Sequence, residues 1–292
     1  MPMLLRIAWR NIWRNKLRSS VVIVSITLGL WAAAFLLAYM FGIIEQRLNS
    51  AISNEISHIQ LHKPDYMEDK ELKYYMADAD LDIPALNAIE TIEASSLRTI
   101  VYGMVSSANA SQGAKIIGID IEDENAVTGM KDHITEGNFL TYKDRNKVVL
   151  GRKLADKLKL RVGSKLVLNF QDLNNEIVAA AFRIAGIYEL TNKSIESNNI
   201  YINKPELQKL LNIPASSHEI AILLKRSEDV DASSMTLQKR YPDLLVQKWS
   251  EISPELGLMV NSLDQYMIIF LVIILAALSF GIVNTMLMSV LE

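Results

Sequence analysis

The chain contains two long runs without a charged residue, and they constrain its fold more than any other feature. Val21–Ile44 is 24 residues long and Tyr266–Leu291 is 26 residues long. As helices they would measure on the order of 36–39 Å, enough to cross a hydrocarbon core of ~30 Å with some tilt. The 221 residues between the runs have a mixed, globular composition. We therefore expect a membrane protein in which transmembrane helices at 20–44 and 266–291 flank a large domain at 45–265.

A cleaved signal peptide is the alternative for the first run. The apolar region of a signal peptide is about 7–15 residues long and ends at a small-residue cleavage site. The first run is longer, and its small triplet Ala32-Ala33-Ala34 lies in its middle, so we favour a retained membrane helix. The chain also has no cysteine and a net charge of −3. This composition excludes a disulfide framework and thiolate chemistry, and it lacks the basic character of nucleic-acid-binding domains.

Residues 1–19 are predicted to form an amphipathic helix in the cytoplasmic membrane interface. Apolar residues share one side of a helical wheel, whereas arginines recur every four residues on the other side. Such a helix places tryptophan at headgroup depth and arginine near lipid phosphates. The six residues expected at the interface are Arg6, Trp9, Arg10, Trp13, Arg14 and Arg18. The alternative is a basic flank that only sets topology. In both cases the positive-inside rule places the N-terminus in the cytoplasm and the large domain outside it.

The large domain has the pattern of an α+β fold with about ten strands. Apolar runs predict strands at 56–62, 97–108, 115–121, 147–150, 165–170, 177–190, 199–202, 220–224 and 244–248. Helical spacing predicts helices at 83–92, 152–160, 206–211 and 230–241. We expect an acidic loop at 120–130, Asn203 as a helix cap and Gly186 as a bulge. A stalk helix at 255–265 is expected to continue into the second membrane helix without a loop.

No catalytic, cofactor-binding or metal site is predicted, and we expect no enzymatic activity. The sequence contains no GxxxxGK[ST], GxSxG or HExxH motif, so it has no nucleotide-binding loop, hydrolase elbow or zinc-protease helix. His58 and His62 would lie about 13 Å apart on a strand, too far for one metal ion. His218 has no predicted partner. The acidic run at 120–124 lacks the spacing of a calcium-binding loop.

Polar residues near the end of the second apolar run are candidates for contacts with other helices. Asn284, Thr285 and Ser289 follow several small residues at 276–281. Polar groups in membrane helices hydrogen-bond to neighbouring helices, and small residues let helices approach closely. Because two helices offer few such partners, we expect further helices to be supplied from elsewhere.

Three stretches of the sequence together resemble one family. AWRNIWRNKLRS at 8–19 is similar to the basic elbow before the first membrane helix of FtsX-like/MacB-type ABC transporter permeases. GRKLADKLKLRVG at 151–163, followed by IAGIY at 184–188, resembles their extracytoplasmic core domain. NTMLMSVLE at 284–292 resembles the base of their second membrane helix, and HIQLHKP at 58–64 is closest to the lipoprotein-releasing branch.

The resemblance implies a permease subunit in a bacterial inner membrane, with a MacB-like periplasmic core domain. This domain would have a porter-like part and a distal part at about 112–200. A partner ATPase would bind ATP and magnesium, and a second permease, alike or different, would complete a dimer. The substrate would be a lipoprotein or another amphipathic molecule, released outside the membrane by mechanical transmission from the ATPase.

The resemblance also assigns a role to the end of the chain. Helix packing and ATPase coupling would fall on Asn284, Thr285, Met288, Ser289 and Glu292, the last of which would begin a coupling segment. Since such permeases have four membrane helices, we expect a chain truncated after the second.

Three alternatives stay open on the sequence. One is an FtsX-like regulator of cell-wall hydrolases. Another is a sensor with two membrane helices, whose outer domain binds a ligand. The last is a membrane-anchored enzyme, which the absence of motifs disfavours. Co-purification of an ATPase would favour the permease, and ligand-dependent stabilisation of the domain without an ATPase would favour the sensor.

Overall fold

The computed structural model of the protein describes residues 16–291, which form two compact units. One unit is residues 48–254, and the other contains the chain on either side of it. The helices are α1 (Lys16–Ala51), α2 (Pro64–Asp69), α3 (Ile83–Asn87), α4 (Ile121–Thr128), α5 (Arg152–Leu158), α6 (Lys193–Asn198), α7 (Lys204–Leu210), α8 (Val230–Arg240), α9 (Trp249–Ile252), α10 (Pro254–Asn261) and α11 (Leu263–Leu291). The strands are β1 (Ile59–His62), β2 (Met76–Ala77), β3 (Ile92–Ser106), β4 (Ser111–Ile119), β5 (Ile134–Gly137), β6 (Lys147–Gly151), β7 (Lys165–Gln171), β8 (Ile177–Tyr188), β9 (Asn199–Asn203), β10 (Ser216–Ser217), β11 (Glu219–Leu224) and β12 (Leu245–Lys248).

The described parts of the two apolar runs are helical. Two stretches, Ile23–Asn54 with 32 residues and Pro254–Gly281 with 28, are long and apolar enough to cross a membrane. In α1 the rings of Trp31, Phe35 and Tyr39 stack in a row, with centroids 5.8 and 6.2 Å apart. Large apolar side chains of both helices are exposed. This exposure is expected of helices that span a membrane.

The predicted stalk continues into the second apolar helix almost without a break. A single residue, Ser262, separates α10 from α11. The backbone N–H of Ser262 donates to Leu258 O and that of Tyr266 donates to Ser262 O, each at 3.0 Å. These two bonds have the i to i−4 spacing of an α-helix, and the stalk predicted at 255–265 is interrupted at the single residue Ser262.

Six strands of the domain close into a barrel. The pairing order runs β3-β4-β9-β6-β8, and β7 pairs with both β8 and β3, which completes the ring. Alternate residues of all six strands form one apolar cluster, which places it inside the ring. Members of this cluster include Val105, Ile116, Val148, Leu150, Leu166, Leu168, Phe182, Ile184, Ile200 and Ile202. Side chains of α5 and α7 join the same cluster.

The barrel closes where β3 meets β7, and the contact requires a glycine. A Cβ atom added at Gly103 would lie 2.9 Å from Phe170 Cβ and would overlap the carbonyl oxygen of Asn169. Without a side chain at this position, β3 pairs with β7 from Met104 to Ser106. The backbone approach at Gly103 therefore explains why this strand position carries no side chain.

A three-stranded extension continues the sheet beyond the barrel. Strand β3 pairs with β11, which pairs with β1, which pairs with β12, all antiparallel. A second apolar cluster packs under the extension with residues of α3 and α8, among them Ile59, Leu86, Ile220 and Leu237. Because β3 belongs to both the barrel and the extension, it is the structural link between them. The predicted internal boundary at about 112–200 stays a prediction.

The predicted strands are confirmed, with shifted ends. Gly186 follows a bulge as predicted, since the register of β6 against β8 shifts between Val148 and Val149. The helix predicted at 83–92 is shorter, because α3 ends at Asn87 and β3 begins at Ile92. Strands β2, β5 and β10 were not predicted, and each has only two to four residues.

The acidic loop predicted at 120–130 is wrong, because these residues form α4. Three acidic residues in its first turn stabilise the positive end of the helix dipole, and Gly129 ends the helix at φ 59°. Asn203 does occupy the position before α7, but its side chain does not cap the helix. Its amide instead donates to the carbonyl oxygens of Thr141 and Asp144, at 3.3 and 3.0 Å.

Candidate functional site: a buried charge cluster on the shared strand

Most of the site residues predicted from sequence fall where the structure does not describe their side chains. Arg6, Trp9, Arg10, Trp13 and Arg14 lie outside the described residues, as does Glu292. Arg18 lies near the start of α1. Asn284, Thr285, Met288 and Ser289 lie in the last turns of α11. Their proposed roles at the membrane interface and in helix packing stay predictions.

The domain contains a buried charge cluster, Arg98, Glu124 and Glu219, on the strand that links the barrel to the extension. Arg98 on β3 binds Glu124 of α4 through two bonds, Nε to Oε2 at 2.9 Å and Nη2 to Oε1 at 2.7 Å. Its Nη1 donates to Oε1 of Glu219 on β11 at 2.6 Å. Ser96 Oγ donates to Glu124 Oε2 at 2.8 Å. All three charged residues are at most 4% exposed, so the cluster fixes α4, β3 and β11 to one another.

The charged side chains of this cluster stabilise one another, because each lies beside a group of opposite charge. Burial alone would raise the pKa of Glu219, but Lys115 and Arg98 outweigh burial and lower that pKa to about 2. Burial opposes the charge of Arg98, but Glu124 and Glu219 outweigh it and raise the pKa of the guanidinium. Lys115 Nζ lies 3.9 Å from Glu219 Oε2. Glu219 and Arg98 are therefore both ionised at neutral pH.

A stack of three rings lies beside the charge cluster. His62 of β1 stacks on Tyr66 of α2 with centroids 5.9 Å apart, and Tyr66 contacts His218 with centroids 5.1 Å apart. His218 Nδ1 accepts from the backbone N–H of Ile100, and its Nε2 donates to Leu72 O. This geometry requires a neutral imidazole with its proton on Nε2. Burial lowers the pKa of His218 to about 4, which agrees with that tautomer.

The histidines considered as metal ligands have separate partners. His58 Nε2 lies 2.9 Å from Ser227 Oγ, and its Nδ1 accepts from the backbone N–H of Leu224. His62 contacts the carbonyl oxygen of His218 and Oε1 of Gln60, each at 3.1 Å. Among residues 16–291, no group of three or more potential metal ligands comes together.

A further ion pair joins the barrel to the segment before β3. Lys204 Nζ of α7 lies 2.7 Å from Asp78 Oδ2, and Ser217 Oγ donates to Asp78 Oδ1 at 2.6 Å. Burial lowers the pKa of Lys204, although the hydrogen bond to Asp78 opposes this effect.

Within the described part of the chain, only Glu206 Oε2 and Gln247 Oε1 are buried side-chain oxygens without a hydrogen-bond partner. The polar groups of the charge cluster therefore bind one another. This arrangement suits a rigid joint between the elements rather than a site of reaction.

The charge cluster could not be identified from sequence, although its members carry weak signals. Arg98 is the single cation of β3, and a buried strand position rarely accepts an unpaired charge. Glu124 was included in the acidic run expected to face solvent, yet it is fully buried. Glu219 follows Arg98 by 121 positions, and no local pattern connects the two.

Comparison with known proteins identifies the class of this domain. The chain belongs to the family of MacB-like periplasmic core domains, which it matches over residues 19–240. An uncharacterised ABC transporter permease of Methanocaldococcus jannaschii is 23% identical, over 98% of this chain and 71% of that protein. The coarse family resemblance expected from sequence is therefore confirmed.

Two solved structures are similar to this chain. The periplasmic region of MacB from Actinobacillus actinomycetemcomitans has a TM-score of 0.49 and 16% identity, covering 72% of this chain and 97% of that one. The extracellular domain of the noncanonic ABC-type transporter YknZ from Gram-positive bacteria has a TM-score of 0.45 and 11% identity, covering 65% and 99%.

Proposed function

We propose that this chain is a permease subunit of an ABC transporter, in which a partner ATPase drives movement of a substrate outside the cytoplasm. One observation carries the proposal. A MacB-like core domain lies, in sequence, between two helices that are long and apolar enough to cross a membrane. The archaeal relative is named as an uncharacterised ABC transporter permease, which supports the same function.

In the proposed arrangement the two helices are inserted in the membrane and the domain lies outside the cytoplasm. The support is the basic N-terminal segment, which has Arg6, Arg10 and Arg14 and no acidic residue before the first apolar run. Basic residues next to a membrane helix are retained on the cytoplasmic side. The N-terminus would then be cytoplasmic, with residues 1–19 in the membrane interface.

Movement would reach the domain through its two helical connections. Two hydrogen bonds of helical spacing join α10 to Ser262 and Ser262 to α11, and they support a role for α10 as a stiff lever. Inside the domain, the closed barrel and the charge cluster around Arg98 resist deformation. A displacement applied at α10 would therefore move the domain as a body rather than be absorbed locally.

The substrate we propose is a lipoprotein or another amphipathic molecule. The support is the sequence resemblance at residues 58–64 to the lipoprotein-releasing branch. In the structure, His58 and His62 are 6% and 2% exposed, so these residues support the fold and cannot contact a substrate. Substrate contacts would then be made by other surfaces of the domain. The family match does not favour a sensor or a regulator of cell-wall hydrolases.

Contacts with the ATPase and with a second permease are proposed for the last turns of α11. Asn284, Thr285, Met288 and Ser289 provide the polar and flexible side chains that pack helices together in a membrane. ATP and magnesium would be bound by the partner ATPase, since the sequence contains no GxxxxGK[ST] motif.

The proposal is tested by purifying the tagged full-length chain from its host membranes in mild detergent. We expect an ATP-binding subunit with a GxxxxGK[ST] motif to co-purify, and Asn284→Leu with Ser289→Leu to reduce its amount several-fold. Ser25→Leu with Thr27→Leu in α1 is the matched control, because both hydroxyl groups donate within their own helix, to Val21 O and Ile23 O. Recovery of a signalling kinase in place of an ATPase would contradict the proposal.

A further inference from the structure

The chain passes from α1 into the domain through a helical turn that is wider than an α-helical turn. Helix α1 is followed without a gap by a π-helical turn at Ile52–Ile56. The backbone N–H of Ser57 closes this turn by donating to Ile52 O at 2.9 Å, five residues back instead of four. Single π turns at α-helices are frequent at functional sites. The irregular end of α1 is therefore a candidate for a functional element.

Ser57, which ends the π turn, has a backbone conformation that serine rarely adopts. Its φ is 55° and its ψ is −178°, close to a region that is used almost only by glycine. Lys70 and Lys159 also have positive φ, but ψ values of 28° and 44° place them in the ordinary left-handed region. Ser57 is also 1% exposed. Strained residues persist only where the surrounding structure holds them, and they concentrate at active sites and switch regions.

Two side chains hold the strained turn by binding the carbonyl oxygen of Ile56. Ser57 Oγ donates to this oxygen at 2.5 Å, and Gln60 Nε2 donates to it at 2.9 Å. Gln60 Oε1 in turn lies 3.1 Å from His62 Nε2 on β1. All four residues are buried, so water does not replace these bonds. We call Ser57 and Gln60 the latch.

The residue after Ser57 is anchored on both sides. The backbone N–H of His58 donates to Ile222 O of β11, and the carbonyl oxygen of His58 accepts from the backbone N–H of Trp249, each at 3.0 Å. Trp249 begins α9, which precedes α10 along the chain. Because the chain beyond Ser57 is fixed in this way, a change in the π turn must be taken up at Ser57 and by α1.

We propose that the π turn at Ile52–Ile56 is a two-state hinge, which the latch holds in its wide form and which becomes an α-helical turn when α1 is displaced. Conversion moves the bond of the Ser57 N–H from Ile52 O to Ser53 O and relaxes the Ser57 backbone. Removing one residue from the turn rotates α1 by about 100° and shifts it by ~1.5 Å along its axis. The strain at Ser57 brings the two forms closer in free energy. Only the assignment of the ATPase as the source of the displacement rests on the proposed function.

The strain at Ser57 is tested with two variants of the full chain in detergent. Ser57→Gly and Ser57→Ala both remove the hydroxyl group, but only glycine is relaxed at this φ and ψ. The glycine variant should therefore melt about 2–6 °C above the alanine variant. Ser53 is the matched control, because it is exposed and helical, and there the alanine variant should melt above the glycine variant. The same order at both positions would overturn the proposal.

The two states are measured as a distance between two spin labels. The chain has no cysteine, so Asn49→Cys near the end of α1 and Lys225→Cys after β11, both exposed, give one labelled pair. A rotation of about 100° at a helix radius of ~5–6 Å displaces position 49 by about 8 Å. We expect one main distance in the chain without an ATPase, and a second distance that differs by up to about 8 Å when the latch is weakened.

Variants of the latch should change the population of the second distance. Gln60→Leu should raise it at least threefold, because Ile56 O loses one of its two donors. With Gln60→Leu in place, Ser57→Ala should give more of the second distance than Ser57→Gly. Gln112→Leu is the matched control, since it also removes one side-chain bond to a backbone oxygen, that of Ser197, and it should leave the main distance unchanged.

The complex purified with its ATPase shows whether the hinge is used. ATP and magnesium should raise the population of the second distance at least threefold. A single distance in every variant, an equal effect of Gln60→Leu and Gln112→Leu, or a second distance that does not respond to ATP would each overturn the proposal. Failure to recover any ATPase would contradict the permease function instead, and the measurements without an ATPase would still decide whether the hinge exists.

Discussion

Arg98 and Glu219 face each other across the β3–β11 ladder, with Nη1 of the guanidinium 2.6 Å from Oε1 of the carboxylate. Strand β3 belongs to the barrel on one side of this pair and to the three-stranded extension on the other. The pair therefore lies at the joint between the two parts of the domain. Because Glu124 shares the same guanidinium, removal of Arg98 would leave Glu124 without this ion pair and Glu219 with only the more distant Lys115.

Arg98→Met is expected to lower the free energy of unfolding by about 3–5 kcal/mol, since breaking one side of a buried ionic group leaves uncompensated charge. Urea denaturation of the full chain in detergent, followed by circular dichroism, measures this loss. Arg161→Met is the control, because Arg161 is exposed and such a change is usually within about 0.5 kcal/mol. Adding Glu124→Gln and Glu219→Gln to Arg98→Met should recover part of the loss. Equal stability of the Arg98 and Arg161 variants would contradict a structural role for the cluster.

The buried His218 predicts destabilisation in mild acid. Its pKa is about 4 in the folded chain, below the ordinary value of 6.5. The unfolded chain therefore takes up a proton first as pH falls below 6.5, and folding stability decreases until the folded-state pKa is reached. The loss attributable to His218 is about 3 kcal/mol between pH 6.5 and 4. His58 and His62, whose pKa values are also lowered by burial, act in the same direction.

Calorimetric melting between pH 7.5 and 4.5 tests this dependence. His218→Gln should reduce the slope of stability against pH by up to one proton. An identical slope in the His218 variant would rule out the assigned neutral tautomer. Glu219 adds a separate loss at lower pH, because its pKa of about 2 lies below the ordinary 4.5 and its stabilisation disappears between those two values.

Closure of the barrel is expected to depend on Gly103. Gly103→Ala should cost about 1–3 kcal/mol of unfolding free energy, because the added methyl group overlaps the backbone of β7. Gly113→Ala is the matched control on the neighbouring strand, where the nearest atom to an added Cβ is 4.0 Å away. That variant should be neutral or slightly stabilising. Thermal melting of both variants measures the difference, and equal midpoints would show that β3 and β7 do not approach as closely as described.

The orientation of the first apolar helix is expected to follow the basic residues before it. Replacement of Arg6, Arg10 and Arg14 by glutamate removes the positive charge that holds this segment in the cytoplasm. Protease accessibility in intact cells should then show the large domain misplaced or inverted. Unchanged topology would mean that these arginines do not determine orientation.

The strands were predictable because each has a local apolar signature, as in Val148–Leu150 or Leu166–Phe170. The closure of those strands into a barrel was not predictable, because the contact of β3 with β7 joins residues over 60 positions apart. Helix α4 shows a missed local signal. Its acidic first turn and the terminal Gly129 are helix signals, but the run of acidic residues favoured a solvated loop.

The charge cluster was beyond prediction for a different reason. A lone arginine in a strand indicates that a partner must exist, but not which carboxylate supplies it. Glu124 and Glu219 became candidates only after α4 and β11 were placed on either side of β3. By contrast, the length and composition of the two apolar runs are enough to identify them as helices, so no tertiary information was needed.

The most direct test of the permease account is whether the stalk responds to ATP. The chain has no cysteine, so Leu258→Cys on α10 and Met235→Cys on α8, both exposed, give single labelling sites for an environment-sensitive fluorophore. In the complex purified with its ATPase, the label at 258 should change its emission on addition of ATP and magnesium and recover after hydrolysis. The label at 235 should change little, because α8 moves with the domain as a body. Emission at 258 that is the same in every nucleotide state would contradict the account.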